Sequence, residues 1–88
     1  MARNTNLEEL IRNLITSPAS RIQTPEFDLE KTRTGKVGGF IISPTFAGMP
    51  QIERQNMLWD YLDAHLDRDQ LLHVVSLVTV TPDEARAL

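Results

Sequence analysis

An α+β fold is predicted: a single small domain over residues 1–88, with elements in the order α-β-β-α-β-α and a mixed three-stranded sheet carrying helices on one face. Three observations predict it. Apolar residues recur at helical spacing in 5–16 and again after Pro50, a glycine-rich polar stretch at 32–39 separates two short extended segments, and the most β-branched run, 71–81, comes last. Strands joined by a tight turn pair antiparallel, whereas a strand, helix and strand in sequence favour a right-handed crossover between parallel strands, so the sheet is mixed.

In the first helix, Thr5 followed three positions later by Glu8 has the pattern of a capping box, and Leu7, Leu10, Ile11, Leu14 and Ile15 form one apolar stripe. Ser17-Pro18 ends it, because proline disfavours helical geometry at the residue before it. Across 21–31 the apolar residues Ile22, Phe27 and Leu29 are sparse and Pro25 interrupts, which predicts a short, imperfect strand with an exposed edge. Gly35, Gly38 and Gly39 mark a hairpin turn in 32–39 whose backbone reaches positive φ, and 39–43 follows as a buried strand. Pro50 suits a first helical turn, where a missing N–H costs little. Behind it Ile52, Trp59, Leu62 and Leu66 share a stripe, with Leu58 and Tyr61 at its flank. A polar break at 67–70 leads into the strand 71–81, with Val74, Ser76, Val78 and Val80 on one face and His73, Val75 and Leu77 on the other. Thr81, Pro82 and Glu84 repeat the capping-box pattern and start a terminal helix.

Composition narrows the functional classes. Eighty-eight residues with 41% hydrophobic content suit one core. No window reaches the roughly 18 apolar residues that cross a bilayer, and Glu8 and Glu9 fall where a secretion signal would be apolar, so a cytoplasmic protein without membrane contact is expected. The absence of cysteine excludes a disulfide framework, thiolate catalysis and any cluster held by the chain's own sulfurs. Net charge is −3, and residues 59–88 hold Asp60, Asp63, Asp67, Asp69, Asp83 and Glu84 against only Arg68 and Arg86. Nucleic acid is disfavoured by such a surface, except at the one basic gathering, Lys31, Arg33 and Lys36 near Arg21. No Ser-His-Asp order, phosphate loop or metal-ligand cluster is present, so no enzyme is expected.

Residues 40–84 carry a more specific pattern. Phe46 and Gly48 precede the central helix, Arg54 lies one turn into it, Met57 and Trp59 follow, and His73 heads the last strand before Thr79-Val80-Thr81. In order and spacing this resembles the second half of the BolA-like family, whose fold is a class II KH-type arrangement. The resemblance implies a monothiol glutaredoxin as partner and a [2Fe–2S] cluster shared with it, and it makes His73 a metal ligand. It places the contact around His73, Gly48, Met49 and Arg54. An imidazole can ligate iron in place of a thiolate while partner sulfurs complete the site, so a chain without cysteine can hold part of a cluster. The pattern departs from the family where Arg54-Gln55 replaces an Arg-His pair and where 32–39 offers neither His nor Cys. Partner binding without a cluster, or a cluster held through His73 alone, is the consequence.

Two other readings stay open. Lys31, Arg33 and Lys36 would serve a KH-like nucleic-acid-binding regulator, but the GxxG match Gly35-Lys36-Val37-Gly38 joins two strands, where glycine's freedom in a turn explains it. The corresponding place, Gly48-Met49-Pro50-Gln51, lacks the second glycine. An exposed edge at 22–29 would serve a homodimer without chemistry. His65 reads as helix surface, and Trp59 and Tyr61 read as core.

Overall fold

The computed structural model describes residues 6–87, and within them the first helix opens on Asn6, whose side-chain oxygen accepts the Glu8 N–H at 3.0 Å. Thr5, the expected cap, lies outside the described residues. Helix α1, Leu7–Thr16, buries Ile11 and Ile15. Ser17 stops it in an extended conformation ahead of the 3-10 turn Pro18–Ser20.

Strand β1 is Glu26–Lys31, shorter than the 21–31 expected. Arg21 and Thr24 adopt positive φ (63° and 42°) and Pro25 follows, so regular pairing begins only at Glu26. Strand β2 is Val37–Ile42, which takes in Val37 and Gly38 from the expected turn and ends one residue before the expected 39–43. The β1–β2 hairpin is antiparallel, pairing Phe27 with Ile41 and Lys31 with Val37. After the 3-10 turn Pro44–Phe46, helix α2 spans Gln51–His65 with Pro50 as its N-cap. Tyr61 ties it to α1 by donating its hydroxyl to the Leu14 carbonyl at 2.6 Å.

Residues 68–72 are helical, where a polar break and the start of a strand were expected. Asp67 caps helix α3, Arg68–Leu72, through a capping box: its carboxylate accepts the Gln70 N–H at 2.8 Å while the Gln70 side chain accepts the Asp67 N–H at 2.9 Å. Strand β3 is therefore Val74–Val80, and it pairs parallel with β2. The last helix, α4, is Pro82–Arg86, with the expected Thr81–Glu84 capping box.

The sheet order is β1-β2-β3. Its inner face carries Val37, Ile41 and Leu77, packed in one core with Ile11 and Ile15 of α1 and Leu58 and Leu62 of α2. This is the predicted mixed three-stranded sheet with helices on one face. Two details differ. The β2–β3 register shifts between Val37 and Gly38, so that Val37 faces Val74 while Gly38 faces Ser76, leaving Val75 as the extra residue of a bulge. The bulge inverts the alternation, so Val74 shares the core face with Leu77 and Thr79 rather than with Val78. In α2 the inward line is Arg54, Leu58 and Leu62, with Ile52 68% exposed and Trp59 half-buried.

Candidate functional site

His73 caps the C-terminus of α3, donating its N–H to the Gln70 carbonyl at 3.0 Å, and its own carbonyl accepts the Val37 N–H at 2.8 Å. Helix end and sheet start thus hold its backbone from both sides. The ring is half-buried, with Nδ1 2.8 Å from the Asp69 carbonyl oxygen. A carbonyl can only accept, so Nδ1 is the donor, and the matching tautomer of the uncharged ring has its lone pair on Nε2. That is the state of a metal-ligating imidazole whose other nitrogen is oriented by a backbone oxygen. The ring borders a cleft of about 530 Å³ between the start of α1, the β1–β2 hairpin and α3, lined also by Lys31, Gly35, Asp69 and Gln70.

The hairpin beside it supplies no second metal ligand. Lys31, Thr32, Arg33, Thr34 and Lys36 are exposed there, and among the described residues no three His, Cys, Asp or Glu side chains group as a metal site. Of the basic trio, Lys31 lines the cleft with His73 and the other two sit beyond it near the turn.

The residues grouped with His73 by sequence lie at the opposite end of the sheet. Because β2 and β3 run parallel, with Val37 beside Val74 at one end and Ile42 beside Val80 at the other, Gly48 and Met49 follow the far end. The seven residues of β3 put about 20 Å between them and His73. Gly48 is exposed and Met49 packs half-buried against the core.

Arg54 turns inward and is 6% exposed. Its guanidinium donates to the carbonyls of Met49 (2.9 Å) and Thr79 (3.4 Å), to Gln51 Oε1 (3.2 Å), and to both carboxylate oxygens of Glu84 (2.7 and 3.2 Å). It clasps α4 to the start of α2 and leaves little for a partner. The hydrogen bond from Arg54, reinforced by the Thr81 N–H, holds the Glu84 carboxyl below its usual value of 4.5. Arg54→Met should cost about 2 kcal/mol in urea denaturation at neutral pH, because it removes charge-assisted hydrogen bonds made from a buried position. A lowered carboxyl stabilises the folded state above its unfolded pKa and loses that contribution as pH falls through the folded value. The gap between wild type and variant is therefore expected to be constant above pH 4.5 and to narrow below it.

Gln55, which the sequence marked only as a departure, has a structural task. Its amide donates to the Leu77 carbonyl at 3.1 Å and accepts the Thr79 N–H at 3.3 Å and hydroxyl at 2.9 Å. It occupies the free edge of β3 as one residue of a fourth strand would, which blunts that edge.

No family model matches the sequence, and no curated protein does. Solved structures do match. A bolA protein homologue from Coxiella burnetii superposes with a TM-score of 0.54, covering 98% of this chain and 99% of that one at 24% identity. A bol-like protein from Babesia bovis gives a TM-score of 0.49 at 19% identity, covering 99% and 93%. The Coxiella likeness runs along nearly the whole of both chains, so the fold is the BolA-like α+β fold. No helix among the described residues is long and apolar enough to cross a membrane.

Proposed function

We propose that this protein is a non-catalytic, BolA-like adaptor that binds a monothiol glutaredoxin at the hairpin end of its sheet. The observation that supports this best is His73, which lines the cleft and whose ring has Nδ1 engaged by the Asp69 carbonyl, so that Nε2 is the nitrogen left for a ligand role. Nε2 would be this chain's one ligand to a [2Fe–2S] cluster shared with the partner, whose own sulfurs complete the set. The cluster, when bound, supplies electron storage and a labile iron–sulfur unit. The chain's residues do the positioning: Asp67 and Gln70 lock α3, and α3 presents the Asp69 carbonyl that fixes the ring.

Lys31, on the same cleft, places a cation beside the place where an anionic cluster or partner group would lie. Contact therefore centres on His73 and Lys31. Gly48 and Met49 lie outside that centre, and Arg54 acts within the fold. Coexpression with a monothiol glutaredoxin, followed by gel filtration and visible circular dichroism of the complex, tests the proposal.

A further inference from the structure

The sheet has a second face, opposite the one on which the core residues of α1 and α2 pack, and its middle is open among the described residues. Cross-strand pairing puts Phe40, Ile42 and Val78 there, with Val80 at one end and the bulge residue Val75 beside Gly38 at the other. Val75 and Val78 are 54% and 36% exposed and Phe40 and Ile42 half-buried, whereas Val80 is buried at 7% and closes that end of the face. On β1 the same face continues as Glu26, Asp28 and Glu30, the cross-strand partners of Ile42, Phe40 and Gly38. All three carboxylates are exposed, and no salt bridge among the described residues involves them.

We propose that this face receives an amphipathic helix of a partner protein, with lysines or arginines at every fourth position along one flank of its apolar stripe. Charge and spacing both select that occupant. The three carboxylates alternate along a strand, so neighbours are about 6.6 Å apart. Helix positions i and i+4 are about 6.0 Å apart along the axis, so cations at i, i+4 and i+8 stay in step with the row while the apolar stripe lies over Phe40 and Val78. A helix in that place would complete a three-layer arrangement around the sheet. This surface is separate from the His73 cleft and does not depend on it.

The test uses the full chain and a fluorescent synthetic helix with a leucine stripe flanked by lysine at three positions four apart. A second peptide carries glutamate at those three positions. In anisotropy titrations the lysine peptide is expected to bind about tenfold more tightly than the glutamate peptide, the size that three exposed ion pairs support. Combined Glu26→Lys, Asp28→Lys and Glu30→Lys should invert that preference, Val78→Glu should abolish binding of both peptides, and His73→Ala should change neither titration. Circular dichroism checks that each variant is folded, and the charge reversal, confined to exposed positions, serves alone if Val78→Glu is not. Equal binding of the two peptides, or an unchanged preference after charge reversal, overturns the proposal. So does a wild-type dimer in light scattering that Val78→Glu converts to monomer, because a second copy would then occupy the face.

Discussion

Gly39→Ala is expected to destabilise the protein by more than about 3 kcal/mol, a large share of a small domain's total stability. Gly39 sits in β2 at φ +133°, a region that residues with a Cβ rarely enter. An added Cβ would also collide with the Asp28 carbonyl oxygen and come within 2.9 Å of Leu29 Cα. Both obstacles are backbone of the paired strand, so neither can rotate away. The comparison that isolates the collision is Gly35→Ala in the turn, where φ is +82° but nothing lies within 4 Å of the new methyl. That variant should lose only about 1–2 kcal/mol, the cost of the left-handed conformation itself. Urea unfolding of both proteins measures the difference. Similar losses would mean that β1 and β2 do not approach in this register.

His73→Ala should remove the visible bands that distinguish a complex with a monothiol glutaredoxin from the glutaredoxin alone, while leaving the isolated protein folded. The ring is half-buried, and its one hydrogen bond from this chain goes to a backbone carbonyl at a helix end, so little packing is lost with it. Removing Nε2 removes the only imidazole on the cleft. His65→Ala is the matched control, because that ring also places Nδ1 2.8 Å from a carbonyl four residues earlier, that of Tyr61, but does so on the exposed surface of α2. A spectrum insensitive to both substitutions would assign the cluster entirely to the partner. Gel filtration of the mixtures separates loss of cluster from loss of binding.

The order of elements was legible because helical stripes and a β-branched strand are repeated signals. What escaped were single-residue events. The Val75 bulge leaves no mark in composition, yet it exchanges the two faces of β3, so Val78 points out and Leu77 in. Helix α3 was hidden by reading Leu71 and Leu72 as strand, although Asp67-x-x-Gln70 was the capping signal that marks it. The phase of α2 was read from its apolar residues alone. Arg54 faces inward, neutralised by Glu84 thirty positions later, and this turns Ile52 outward. At the site, His73 could be singled out from its place before the last strand. Its neighbours could not, because Gly48, Met49 and Arg54 follow the end of β2 that lies beside Val80, the end of β3 away from His73.

Whether Nε2 of His73 reaches a partner's metal is tested most directly by visible circular dichroism of the wild-type protein copurified with a monothiol glutaredoxin. The expected result is a one-to-one complex whose visible bands differ from those of the glutaredoxin alone, as a change of ligand at the cluster requires. A copurified complex whose spectrum matches the glutaredoxin alone, or a failure of the two proteins to copurify, would contradict the proposal.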